Sequence, residues 1–172
     1  MLKWIFKGLP MLNAGIIVVQ HMPKFINDSL RDSLSSVTPM RVSIAENGAA
    51  LESGTVVIAP SEVHLSLVEN RIVRLHHGSK VNFVCPSADV TMKSLTWDLE
   101  VLFVGVVVTG MGRDGADGTV HIKKLGGTTI AQDEKTSSIF GMPREAIRTG
   151  CVDFVLTPDE ISRKLIDLVG VK

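Results

Sequence analysis

Residues 101–108 read VLFVGVVV, and residues 109–118 follow without a break as TGMGRDGADG. A run that is apolar at every position cannot face water on either side. It suits a parallel strand covered by helices on both faces. The glycine-rich stretch then supplies the turn that ends the strand and opens a helix. Gly15 to Gln20, GIIVVQ, has the same continuous apolar, β-branched character. Further strand signals lie at Arg41 to Ala45, Thr55 to Ala59, Thr128 to Ala131 and Val152 to Leu156. Helical spacing of apolar residues appears at Leu2 to Leu9, Lys24 to Val37, Ala88 to Leu99, Gly115 to Leu125 and Pro143 to Arg148. Thr157-Pro158-Asp159-Glu160 provides an N-cap, a first-turn proline and a capping-box glutamate for a last helix through Val169. Val63 to Val68 and Arg71 to Leu75 read as a hairpin around Glu69-Asn70. Strands alternating with helices predict an α/β fold, with a mostly parallel sheet, flanking helices and a small antiparallel hairpin. The 172 residues suit a single domain over 1–172.

Composition narrows the function classes. Charged residues make up 21% and the formal net charge is zero, so nothing points to nucleic acid. The apolar runs are strand-length, and direct membrane insertion is not expected. Two cysteines, Cys85 and Cys151, lie far apart in sequence and read as reduced thiols of a cytoplasmic protein. MLKWIFKGLPML at the start lacks a small-residue cleavage site and reads as an amphipathic helix.

Parallel sheets build their sites outside the carboxyl ends of the strands. Two such ends stand out, Gln20-His21-Met22-Pro23 and the loop at 109–118. His21 can act as a general base near neutral pH, or simply hydrogen-bond in a βα loop. Asp114 can receive an imidazole N–H and stabilise the imidazolium, or cap the helix that follows, a role Asp117 also suits. Gly110, Gly112 and Gly115 expose amides at a helix N-terminus, which favours a phosphate or an oxyanion. Gly110 to Gly115 matches G-x-G-x-x-G, with Asp133 and Glu134 at a fitting distance for a dinucleotide site. The acidic residues inside the turn and its late position weaken that reading, and neither cofactor nor metal is expected. His64, His76, His77 and His121 form no ligand set. Trp4 and Trp97 fall on helical faces and are expected in the core or an interface.

VVQHMPKFI, IAPSEVHL, VCPSADVTMKSL, VVTGMGRDGADG and AQDEKTSSIFGMPREAIRTG occur in that order. Together they resemble the catalytic domain of the chemotaxis protein-glutamate methylesterases, the CheB family, over nearly the whole chain. The resemblance implies hydrolysis of glutamate γ-methyl esters, and deamidation of glutamines, on the cytoplasmic helices of methyl-accepting chemoreceptors. It implies a doubly wound α/β fold, and a Ser-His-Asp triad with His21 and Asp114 as two members. Met111, flanked by Gly110 and Gly112, falls at the family's active-site methionine, with its N–H a candidate oxyanion donor. The family's serine turn, G-x-S-T-G-G, occurs nowhere in the 172 residues. Leu2 to Pro10 matches the helix that follows that turn, so the serine and the first strand are expected a few residues before Met1. No receiver domain is expected. A sheet without that strand is expected to expose edges and self-associate through them. A non-catalytic receptor-docking remnant is the alternative reading.

Overall fold

The computed structural model describes all residues, 1–172. The chain folds in the order α1 (Leu2–Lys7), β1 (Gly15–Val18), α2 (Asn27–Ser35), β2 (Arg41–Ile44), β3 (Thr55–Ile58), β4 (His64–Val68), β5 (Ile72–His76), α3 (Ala88–Lys93), β6 (Val104–Val107), α4 (Ala116–Lys124), β7 (Thr128–Gln132), α5 (Met142–Arg148), β8 (Phe154–Leu156) and α6 (Pro158–Val169). The expected α/β alternation holds on either side of β2 to β5, four strands that follow one another with no helix between them. α6 begins with a complete capping box, Thr157 and Glu160 each bonding the other's backbone N–H. The hairpin turns at Glu69 and Asn70, both at positive φ (51° and 56°), the conformation that matches the twist of the two strands.

The parallel strands form two three-stranded sheets, ordered β1-β3-β2 and β6-β7-β8, with β4-β5 as a separate antiparallel pair. This differs from a single continuous sheet. β1 pairs only with β3, and β6 pairs only with β7, so each has a free edge. Both edges border one cavity of about 320 Å³, lined almost entirely by hydrophobic side chains. Ile16 and Val18 face it from β1, Val104 and Val106 from β6, and Ile5 and Phe6 from α1. One buried cluster nonetheless spans both sheets, joining Val18, Val56 and Ile58 to Ile130 and Ile161. A smaller cluster of Ala45, Val57, Ala59, Leu65, Leu67 and Val73 lies beneath the hairpin. The terminal helices meet where Ser162 Oγ donates to Ile5 O at 2.8 Å.

Two expectations are corrected. The helix expected through Leu99 ends at Lys93. Ser94 Oγ donates to Thr91 O (2.7 Å) and receives the Leu67 N–H (2.8 Å), while the Thr96 N–H turns to Asn70 Oδ1 (2.8 Å). These bonds to the hairpin replace the next helical turn. Trp97 is consequently outside any helix and 66% exposed, and Trp4, still in α1, is 51% exposed with its indole N–H on Asp159, so of the expected core or interface places the core is ruled out for both.

Candidate functional site

β1 and β6 run in the same direction as their sheets and deliver two loops to the same side of the molecule. His21 lies three residues beyond the end of β1. Its loop is pinned by Ser61, whose hydroxyl donates to Met22 O at 2.8 Å and lies 3.0 Å from Asn27 Oδ1. Asp114 ends the loop that leaves β6. Although the two residues are 93 positions apart, His21 Nε2 lies 2.8 Å from Asp114 Oδ2. With Nε2–H donated to the carboxylate, Nδ1 is left as the acceptor.

Asp114 is fully buried. Burial pushes its carboxyl up. The hydrogen bonds from His21, the Ser87 hydroxyl and the Ala88 and Asp89 amides outweigh that and hold it down at about 2. Ser87 Oγ donates at 2.5 Å, and the two amides at 2.6 and 3.2 Å. A carboxylate so surrounded stays ionised and can hold one imidazole tautomer. The His21 side chain keeps 22% exposure, so its outer edge remains reachable. The combination is a partly exposed imidazole whose orientation is set from beneath by a buried carboxylate.

The loop between β6 and Asp114 is tied at its start. Thr109 N–H donates to the buried Gln132 Oε1 (2.8 Å). Gly110 N–H donates to Ile139 O (3.0 Å), and Gly110 O accepts the amides of Gly141 (3.1 Å) and Met142 (2.8 Å). Gly141 must be small, because a Cβ there would stand 2.6 Å from Gly110 O and 3.2 Å from Gly112 N. The amides of Met111 and Gly112 have no acceptor within the chain. Met111 itself is 77% exposed. Of the residues singled out from sequence, His21 and Asp114 touch. Met111, Gly110 and Gly112 form the rim of the same loop, with the Gly110 amide already committed.

Asp114 does not cap the helix after it. Gly115, at φ 92°, is the N-cap of α4, and α4 has no cap side chain from its own sequence. Asp117 is held by Arg113 (2.7 Å) and Lys93 (3.1 Å). Sequence reasoning missed Ser87, Asn82, Asp89 and Gly141. Ser87-Ala88-Asp89 carries an N-cap signal, and Ser87 does cap α3, but its contact with Asp114 depends on helix packing. His64 bonds Ser79 O and His121 bonds Leu95 O, both structural contacts. Ser137 Oγ is spent on Asp133 O (2.7 Å). Asp133 carries the Thr136 hydroxyl, and Cys85 and Cys151 are free thiols.

Comparison with known proteins agrees with this architecture. Residues 1–165 match the family described as CheB methylesterase. A protein-glutamate methylesterase/protein-glutamine glutaminase from Pyrococcus horikoshii is 44% identical over 163 residues, covering 93% of this chain and 44% of that protein. The Thermotoga maritima protein of the same description is 40% identical over 172 residues, covering 98% of this chain and 50% of that protein. The chain thus spans about half the length of the curated relatives it matches. The crystal structure of the Thermotoga maritima CheB methylesterase catalytic domain superposes with a TM-score of 0.90 at 38% identity, over 98% of this chain and 91% of that one.

Proposed function

The chain belongs to the CheB methylesterase family, and on that premise we propose that it is a protein-glutamate methylesterase and glutamine deamidase domain acting on the cytoplasmic helices of chemoreceptors. The observation that carries this is the His21–Asp114 contact, 2.8 Å long, with the carboxylate fully buried and held near a pKa of about 2. In this reading a serine hydroxyl attacks the γ-carbonyl of the methyl-glutamate, and His21 takes its proton. Asp114 stabilises the imidazolium. The unoccupied amides of Met111 and Gly112 receive the oxyanion. Collapse of the tetrahedral adduct breaks the ester C–O bond, and His21 returns the proton to the departing methanol. Water then attacks the acyl-serine, again with His21 as base. For glutamine the leaving group is ammonia.

The serine is proposed to stand on a strand seated between β1 and β6. Two observations support this. The cavity there has a free parallel strand edge on each side, and its walls are apolar on both faces, as a buried parallel strand requires. The carboxyl end of such a strand opens beside His21 and the loop of Met111. With the cavity unfilled, the same two edges are where a second copy of the chain is expected to pair.

The test compares the 172-residue chain with one extended upstream of Met1 by an apolar strand and a G-x-S-T-G-G turn. Methanol release is measured from a methylated receptor fragment. Release by the extended chain, lost in its His21→Ala and Asp114→Ala variants, is the expected result. Full release in the extended His21→Ala variant would refute the assignment. Receptor binding without release by either chain would favour the docking reading.

A further inference from the structure

We infer that Asp89 is a positioning residue for the His21–Asp114 pair, and that it works by capping α4, whose own N-cap Gly115 has no side chain to do so. The inference rests on the catalytic reading of that pair, but its geometry stands apart from any activity.

Asp89 stands in the first turn of α3 and is 1% exposed. Its Oδ1 accepts the amide N–H of Gly115 at 3.0 Å and of Gly118 at 2.7 Å. These are the N-cap and third residues of α4, two of the donors that a helix start leaves without intrahelical partners. Its Oδ2 accepts Asn82 Nδ2 at 2.7 Å. In return, Asp114, just before α4, accepts the amides of Ala88 and Asp89, the first two residues of α3. Each carboxylate therefore caps the other's helix.

The exchange has a consequence for His21. The side chain at a helix N-cap ordinarily accepts that helix's own first amides. Gly115 has no side chain to do so, and Asp117 is engaged by Arg113 and Lys93. Asp89 supplies the missing acceptor. Asp114 is thereby released to face α3 and His21. Remove Asp89, and the buried α4 amides lack an acceptor, while Asp114 adjoins Gly115 in the chain and can turn toward them.

The arrangement places two carboxylates in one buried cluster. Burial pushes the Asp89 carboxyl up, and the nearby Asp114 charge adds to that, against the Gly118 amide and Asn82. Every group facing the Asp89 oxygens is an N–H donor, which matches the ionised form. Asn82 also reaches Asp114 Oδ1 at 3.4 Å and receives Arg113 on its Oδ1 at 3.3 Å, tying a guanidinium to the pair.

The test is NMR on the 172-residue chain with Asp89→Ala and Asp89→Asn. Two signals are followed, the His21 ring N–H bonded to Asp114 and the exchange rate of the Gly118 amide. Asp89→Ala is expected to speed Gly118 exchange roughly tenfold, as loss of a cap does. It is also expected to abolish the protected ring N–H signal while the hairpin amides stay protected. Asp89→Asn keeps an Oδ1 for the two amides, so both signals are expected to remain, with Gly118 exchange within about threefold of wild type. A folded Asp89→Ala protein with an unchanged ring N–H signal overturns the inference. If Asp89→Ala does not fold, Asp89→Asn decides. Loss of the ring N–H with Gly118 still protected would mean that Asp89 acts through its charge and would overturn the capping route; both signals retained supports it. In the serine-bearing extended chain, Asp89→Ala is expected to lower kcat at least tenfold, with KM within about threefold. The NMR signals stand whether or not the domain hydrolyses esters, so failure of the esterase reading is distinguishable from failure of this one.

Discussion

Replacing Asp114 with asparagine removes one charge at nearly constant volume. The wild-type carboxyl falls from 3.8 to about 2 on folding. That depression corresponds to about 2 kcal/mol of stability at neutral pH. Because the folded value is the lower one, this stabilisation is complete above the unfolded value of 3.8 and fades as pH falls through about 2. Asparagine also turns an NH2 toward an N–H donor, that of Ala88 and the His21 ring if it takes the Oδ2 place, or that of Asp89 if it takes the Oδ1 place. A buried unpartnered donor adds about 1 kcal/mol or more. Asp114→Asn should therefore be about 3 kcal/mol less stable than wild type at pH 7. The gap should shrink by about 2 kcal/mol between roughly pH 4 and pH 2. Urea unfolding followed by circular dichroism across that range measures it. Asp89, whose carboxyl is pushed up, gives the opposite slope in both proteins, so the comparison largely removes it. Parallel acid slopes for wild type and variant would refute the claim that this carboxylate is held ionised by its donors. In the extended, serine-bearing chain the same substitution should cut the esterase rate roughly 10⁴-fold, since His21 would lose its tautomer.

Gly141→Ala forces a methyl to 2.6 Å from Gly110 O, a backbone atom that cannot swing away. It should destabilise the fold by about 1–3 kcal/mol in thermal melts and reduce the esterase activity of the extended, serine-bearing chain by displacing the Met111 loop. Thr157→Ala removes the α6 capping box and should cost about 1 kcal/mol, with esterase activity of the extended chain unchanged. Sedimentation of the 172-residue chain should show concentration-dependent association through the β1 and β6 edges, weaker after Val106→Lys. A monomer at all concentrations, with or without the lysine, would rule that association out.

Much of the fold was legible in the chain because its signals are local. The apolar runs at 15–20 and 101–108 place β1 and β6, although the ladders stop at Val18 and Val107. Thr157 and Glu160 mark the start of α6, since a capping box is made within one turn. The α3 boundary was misjudged for the opposite reason. Apolar spacing continues to Leu99, but Ser94 and Thr96 bond instead to a hairpin more than twenty residues earlier.

The candidate site divides in the same way. By itself the sequence determined which residue types stand at the two strand ends, a histidine after β1 and an aspartate in the glycine loop after β6, because strand, turn and glycine are written in neighbouring residues. It left Asp114 open between helix cap and imidazole partner. Only the tertiary structure decided that choice, by packing α3 against α4 so that Asp89 takes the cap and Asp114 meets His21, 93 positions away. Hydrogen bonds between helix starts depend on how the helices pack, and no local pattern encodes that packing.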